Sequence, residues 1–357
     1  MKKTKKGLIA YMIVLCMFTV YVLLDTFVIT RVYGDAEGGT QREMNAENSG
    51  LAESGQTTNG AYLTEEEEDA IEAGEVSGKS SGGSSSSNGS TGSAYLSDES
   101  SHSTSPDTDA VSTENSYKDK NISVTLSEYR EYDTTVYVAD VEVSSPDYLK
   151  TALAQGVYGK NVKENTSDIA KSAGAILAVN GDYYGARESG YVIKNGTLYR
   201  DEGASGRDDL VIYKDGSWRI ISEDEVSAEK LIADGAVQTM SFGPALLENG
   251  EVTVGVNEEV TSKSMASNPR TAIGIIDENH YVFVVSDGRT DDSAGLSLYE
   301  LADVMKGLGV KTAYNLDGGG SSTMYFHGNV VNNPTGGREG HGAGSERSVS
   351  DIVYIGY

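Results

Sequence analysis

Hydrophobic and polar positions divide the chain into three regimes. Gly7 to Ile29 is an apolar run of 23 residues, interrupted only by Thr19, Asp25 and Thr26. Residues 34–116 show no periodicity of either kind. From Tyr117 to Tyr357 short apolar stretches return, spaced by Gly, Asn and Asp, as in a folded domain.

Within this last regime the pattern predicts particular elements. Ile122, Val124 and Leu126 alternate onto one face, and Thr135 to Val143 is rich in Val, Thr and Tyr, so the domain opens with a hairpin. Ser145-Pro146 reads as a capped helix start running to Gly156, and a second helix is expected from Thr166 to Ser172, stopping at Gly174. Ala175 to Val179 is a continuous apolar run suited to a strand buried on both faces. Further strands are expected at Tyr191 to Ile193, Leu210 to Tyr213, Trp218 to Ile221, Thr271 to Ile276, Tyr281 to Val285 and Val310 to Tyr314. Asn195-Gly196, Asp215-Gly216 and Asn249-Gly250 mark turns. Ser297-Leu-Tyr-Glu300 is a capping box, followed by Leu298, Leu301, Met305 and Leu308 at helical spacing and a stop at Gly307 or Gly309. The expected fold class is α+β or mixed α/β, with a central mixed sheet and packed helices, preceded by one transmembrane helix and a disordered stalk.

The first regime reads as a membrane anchor. Lys2, Lys3, Lys5 and Lys6 precede the apolar run, which is long enough to cross a bilayer and longer than a cleaved signal core. The lysines stay in the cytoplasm and the rest of the chain lies outside. Val32-Tyr33-Gly34 would serve as a cleavage site, but an uncleaved anchor ranks ahead of it. Cys16, the single cysteine, lies inside this run, so the exported part has no disulfide.

Composition changes the picture of the middle regime. Residues 35–116 carry 17 acidic residues against two basic, and Ser77 to Ser93 holds nine Ser and five Gly. Such a stretch cannot bury enough apolar surface to offset its ordering entropy, so it reads as a solvated stalk. The boundaries that result are 1–33 for the anchor, 34–116 for the stalk and 117–357 for one domain. Residues 117–357 carry 21 basic against 36 acidic residues, a balance that argues against nucleic acid or an anionic membrane surface as a partner.

Candidate chemistry concentrates in two places with one local plan. Gly174, a strand and Asn180-Gly-Asp182-Tyr-Tyr184 match Gly309, a strand and Asn315-Leu-Asp317-Gly-Gly319. Were the two strands parallel neighbours in one sheet, both Asn-x-Asp turns would emerge at the edge where open α/β sheets bind ligands. The plainer alternative is that Asn and Asp favour turns after strands. The stretch Asn315 to Thr323 adds Gly318, Gly319 and Gly320 and the hydroxyls of Ser321, Ser322 and Thr323, a set suited to holding an anion. Arg270 precedes one strand and Arg289 ends the next, so the two bracket a hairpin, and an arginine fork matches phosphate or carboxylate oxygens. His280, His327 and His341 have no metal-ligand spacing.

The series Asn180-Gly-Asp-Tyr-Tyr184, Ser241-Phe-Gly-Pro244, Asn268-Pro-Arg-Thr-Ala-Ile-Gly274, Asp287-Gly-Arg289, Gly295-Leu-Ser-Leu298 and Asn315 to Thr323 resembles the phosphodiester glycosidase family. The likeness covers most of 117–357 in the family's order. It implies hydrolysis between the anomeric carbon of a sugar, such as α-N-acetylglucosamine, and the phosphate of a sugar-1-phosphodiester. Many bacterial members bear exopolysaccharide labels, which suggests a cell-surface polymer or glycolipid as partner. Phosphate is a good leaving anion, so oxyanion stabilisation matters more than a strong acid. Under this resemblance the catalytic carboxylates are Asp317, Asp182 and Asp287. Substrate is bound by Asn180, Arg270, Arg289, Asn315, Gly318, Gly319, Gly320, Ser321, Ser322 and Thr323. A calcium or magnesium ion on the aspartates would suit hard oxygen ligands, though the sequence does not require one. Two other readings compete: a non-catalytic exopolysaccharide or wall-glycan binding protein, and an adaptor organising a surface assembly. The binding protein would keep Arg270 and the glycine loop without needing the aspartates for rate, and the adaptor would act through the stalk.

Overall fold

The computed structural model describes residues 15–19, 21, 30–35, 109–258, 260, 267–336 and 344–357. The first strands are β1 (Arg31–Asp35), β2 (Val111–Ser112), β3 (Ser116–Lys118), β4 (Ile122–Glu131), β5 (Thr134–Val143), β6 (Leu149–Leu153) and β7 (Val157–Lys160). Helix α1 (Thr166–Ser172) leads to β8 (Leu177–Asn180), β9 (Val192–Lys194), β10 (Thr197–Arg200), β11 (Asp208–Tyr213) and β12 (Trp218–Ser222). Helix α2 (Ala228–Ala233) leads to β13 (Ala236–Met240), β14 (Ala245–Glu248), β15 (Glu251–Val252), β16 (Arg270–Asp277) and β17 (His280–Ser286). Helix α3 (Leu298–Gly307) leads to β18 (Thr312–Asn315), β19 (Met324–Phe326), β20 (Asn329–Val330) and β21 (Asp351–Ile355).

Two sheets carry the domain. The larger runs β15-β14-β18-β16-β17-β5-β4-β3-β2 and the smaller runs β20-β19-β8-β21-β6. Every pairing in both is antiparallel. The mixed α/β expectation is therefore corrected to a mostly β architecture with few helices. The physical reason lies in the alternation of β17: Tyr281, Phe283 and Val285 face the smaller sheet, while Val282 and Val284 face α3. A strand buried on both faces reads as a continuous apolar run, the pattern also left by a parallel strand.

The layers follow from these faces. Val124, Val141, Ile273 and Phe283 of the larger sheet pack against Leu177, Val179, Val353 and Ile355 of the smaller one. On the outer side of the larger sheet, Leu298, Leu301, Ala302 and Met305 of α3 cover Ala272, Val282, Val284 and Ala313. On the outer side of the smaller sheet, Ile169 and Ala170 of α1 cover Ala178, Ile352 and Tyr354. Each large side chain so enclosed stabilises the fold by about 1.5–3 kcal/mol relative to exposure. The capping box starts α3 as expected: the Glu300 N–H donates to Ser297 Oγ at 3.2 Å and the Ser297 N–H to Glu300 Oε2 at 2.8 Å.

Some local expectations fail. The helix expected from Ser145 to Gly156 is two 3₁₀ turns, Pro146–Tyr148 and Ala154–Gly156, with β6 between them. Ser145 does cap the first turn, but Leu149, Thr151 and Leu153 then alternate inward against β21, a strand period that the local start signal did not reveal. Helix α2 and strands β13 and β14 were not anticipated. Among the described residues no helix is long and apolar enough to cross a membrane. Most of the proposed anchor at 7–29 lies outside the described residues, as does most of the proposed stalk.

Gly274 fixes the approach of α3 to the sheet. A Cβ there would meet Val310 Cγ1 at 2.5 Å, Met305 Cε at 2.7 Å and the Thr312 carbonyl at 3.1 Å. Gly274→Ala is expected to destabilise the domain by about 1–3 kcal/mol through overpacking, seen as a lower urea midpoint at unchanged slope.

Candidate active site

The two Asn-x-Asp turns meet, but not as neighbours in one sheet. Strand β8 belongs to the smaller sheet and β18 to the larger, so the expected single sheet edge is corrected to a rim where two packed sheets end together. Their flanks do match, since Gly174 and Gly309 both stop helices at positive φ. Asn180 Nδ2 donates to the Asp317 carbonyl at 2.6 Å, and the Asp317 N–H donates to the Gly181 carbonyl at 3.3 Å. Asn180 Oδ1 accepts from Thr271 Oγ1 at 2.8 Å and from the Thr323 N–H at 3.2 Å. One side chain thus ties β8, β16 and both ends of the glycine loop. On the other side Asn315 donates from Nδ2 to the Gly243 carbonyl at 2.8 Å.

The loop after β18 is compact. The Gly319 N–H donates to the Pro269 carbonyl at 2.9 Å, and Gly320 lies so close to Gly336 that a Cβ would approach its Cα to 2.8 Å. Ser321 Oγ donates to Asp317 Oδ2 at 2.6 Å. Arg347, which sequence reasoning missed, completes this corner: Nη2 reaches Asp317 Oδ1 at 3.3 Å and the Gly318 carbonyl at 3.0 Å, and Nε donates to Ser321 Oγ at 2.9 Å. Its only sequence signal was a cation just before the last apolar run. The oxygens Asn315 Oδ1, Ser322 Oγ and Thr323 Oγ1 are buried with no protein partner in this network.

Asp287 and Arg270 lie at the same rim. Strand β16 is antiparallel to both β17 and β18, so the last two run in one direction and end beside the start of β16. Arg270 pairs with Ser286, and Arg270 Nε donates to the Leu296 carbonyl at 2.9 Å. Arg289, at φ 59°, donates from Nε to Asn268 Oδ1 at 3.3 Å. Asn268 and Leu296 bridge each other, so both arginines brace one turn, as their bracketing of the hairpin suggested. Asp287 Oδ1 accepts from the Asn333 N–H at 2.9 Å and Oδ2 from Tyr137 OH at 3.3 Å. Asn332, also missed, ties Asp287 to the glycine loop by donating to the Ser322 carbonyl at 2.9 Å and accepting from the Met324 N–H at 2.8 Å. Burial pushes the Asp287 carboxyl above the usual range despite these donors.

Asp182 is placed differently. Its oxygens accept from the Tyr183 N–H at 2.7 Å, the Ser241 N–H at 2.7 Å and Ser241 Oγ at 3.1 Å. Burial works to raise its pKa, but the nearby charges of Lys194 and Arg187 and these backbone donors together hold it below the usual range. The Asp182 N–H donates to Asp351 Oδ1 at 2.8 Å, and Asp351 Oδ2 is ion-paired with Lys194 Nζ at 2.7 Å. Burial lifts the Asp351 carboxyl to about 6. Lys194 and Asp351 each carry charge at the end of an apolar strand run, a signal that could have marked them. Among the described residues no group of three or more His, Cys, Asp and Glu could hold a metal ion, so no step is assigned to the calcium or magnesium that the sequence allowed.

The site thus lies at the rim of two packed sheets, built from a glycine loop and separated aspartates. The phosphodiester glycosidase model matches residues 173–356, and the chain belongs to that family. It is 30% identical over 207 residues to the SPbeta prophage-derived uncharacterized protein YomE of Bacillus subtilis (strain 168), covering 56% of this chain and 31% of that protein. It is 28% identical over 209 residues to N-acetylglucosamine-1-phosphodiester alpha-N-acetylglucosaminidase of Mus musculus, covering 54% of this chain and 40% of the enzyme. The chain therefore spans well under half the length of these relatives. The fold is also similar to the zebrafish N-acetylglucosamine-1-phosphodiester alpha-N-acetylglucosaminidase catalytic domain, with a TM-score of 0.51 and 23% identity over 66% of this chain and 83% of that one.

Behind the site, Asp209 is fully enclosed, and burial followed by the neighbouring Glu223 carboxyl holds its pKa well above the usual range. Unfolded, it titrates near about 3.9. Above that pH the native chain keeps a proton that the unfolded chain has lost, so this group's contribution lowers stability as pH rises. Asp209→Asn removes that titration. The variant should gain stability relative to the parent between pH 4 and pH 8 in urea unfolding; a constant difference across that range would show Asp209 ionised in the fold.

Proposed function

We propose that the domain hydrolyses the bond between a sugar's anomeric carbon and the phosphate of a sugar-1-phosphodiester. The observation that carries this reading is the pair Asp317 and Asp287 at the ends of β18 and β17, flanking the start of β16 at Arg270, in contrasting surroundings. Two carboxyls held in different environments are the means by which one site performs opposite roles. Asp317, beside Arg347 and Ser321, is the anion that faces the developing positive charge at the anomeric carbon, as nucleophile or as base for water. Asp287, whose carboxyl burial pushes above the usual range, is the second carboxyl at this rim and is held by Asn333, Asn332 and Tyr137. Arg270 and Arg289 supply positive charge at the same rim, and Asp182, with its oxygens filled by Tyr183 and Ser241, positions the turn rather than reacting.

The family membership supports the reaction class, and the name of the mouse relative supports α-linked N-acetylglucosamine as the sugar to test first. The substrate is a cell-surface polymer or glycolipid, met outside the cell by a domain anchored through residues 7–29. The lysine cluster before the apolar run supports that orientation.

Product analysis tests the reaction. The purified protein should convert an α-linked sugar-1-phosphodiester to free sugar and a phosphomonoester; release of sugar-1-phosphate would mean scission of the other ester bond and would exclude a glycosidase. Asp317→Asn should lower kcat by about 10² or more while substrate still binds. Retention of turnover by that variant would leave the carboxylate role to another residue. A parent protein that binds the diester without turnover would favour the glycan-binding alternative.

Topology is tested on intact cells. Protease added outside should cut within residues 36–108 and abolish the full-length band, while a chain resistant until the cells are permeabilised would place the domain inside.

A further inference from the structure

The segment just after the apolar run is not free of the domain. Thr30 to Tyr33 reads as β-prone, with two β-branched residues and a tyrosine, and β1 pairs antiparallel with β7. Arg31 faces Lys160, Val32 faces Gly159, Gly34 faces Tyr158 and Asp35 faces Val157, with an irregularity between Val32 and Gly34. Thr30 Oγ1 also donates to the Asn161 carbonyl at 3.4 Å. Among the described residues β7 pairs with no other strand, so β1 supplies the partner for its backbone groups.

Two side-chain features make this edge specific. A Cβ on Gly159 would lie 2.1 Å from the Arg31 carbonyl oxygen, so the strand's approach depends on the absence of a side chain there. The Tyr33 ring packs on Tyr158 with centroids 5.8 Å apart, and Tyr158 in turn stacks on Tyr184 at 5.4 Å and packs on Tyr199 at 4.9 Å. Tyr184 lies in the turn that follows Asp182, and its OH donates to the Ser350 carbonyl at 3.2 Å. The same turn is held to the end of β7, where the Asn161 N–H donates to the Gly185 carbonyl at 3.0 Å and Lys160 pairs with Glu188.

We infer that β7 is a docking edge for the chain's own residues 30–35, which clip the domain directly to the end of the apolar run. The occupant is this segment, because it brings the matched register, the close approach over Gly159 and the tyrosine that extends the ring column. The clip holds whatever reaction the domain performs. It also makes the strand a part of the domain's structure that a chain beginning at Tyr117 would lack.

Bridging in the full chain tests the register. In a Cys16→Ser background, Asp35→Cys with Val157→Cys places two cysteines on directly opposed positions, within the roughly 4.4–6.8 Å that a disulfide spans. Mild oxidation should bridge this pair at least about tenfold faster than Asp35→Cys with Lys214→Cys, where Lys214 is exposed and outside the pairing. Hydrogen exchange supplies a measurement that leaves the domain sequence intact. Val32→Pro with Tyr33→Pro should speed exchange of the β7 amides at least about tenfold and leave those of β17 unchanged. Equal bridging of the two cysteine pairs, or β7 exchange unaffected by the prolines, would overturn the inference.

Discussion

The site depends on the side-chain amide of Asn180. It is fully buried where two sheets end, and its three hydrogen bonds hold Asp317, Thr271 and Thr323, which belong to the opposite sheet and its glycine loop. Packing of apolar faces brings the sheets together but does not fix their rims, because dispersion and burial have little directional preference. Directional bonds from one buried amide supply that register. Each partner left unsatisfied by its loss would cost about 1–3 kcal/mol.

The buried carboxyls show how little residue type says about role. Asp182, Asp287, Asp317 and Asp351 all lie at strand ends and are nearly inaccessible. Asp182 has its oxygens filled by backbone donors and two cations nearby, so it braces a turn. Asp351 is paired with Lys194 yet is lifted by burial to about 6, so desolvation outweighs the ion pair. Asp287 leans towards its neutral form for the same reason, while Asp317 sits against the guanidinium of Arg347. One chemical group therefore meets contrasting surroundings along a single rim.

The strand at 31–35 extends this coupling away from the rim. Its contacts run through Tyr158 and Tyr184 into the turn that carries Asp182, so the chain's beginning and its candidate chemistry share one packed column of rings. Such a link depends on Gly159 and on register rather than on charge.

The sequence alone determined the local features. The capping box at Ser297, the helix from Thr166 to Ser172, the hairpin around Arg270 and Arg289 and the two Asn-x-Asp turns all rest on contacts within a few residues, where spacing and turn chemistry are sufficient. The family pattern was also legible, since its motifs are short and occur in order. Tertiary structure alone decided the rest. Whether β8 and β18 shared a sheet, whether the run after Ser145 was helix or strand, and which aspartate kept free capacity turned on partners brought together by the fold rather than by neighbouring sequence. Arg347, with only a faint signal, and Asn332, with none, were missed in sequence because a polar residue in a polar stretch acquires a role only when the fold presents it with a buried acceptor or carboxylate.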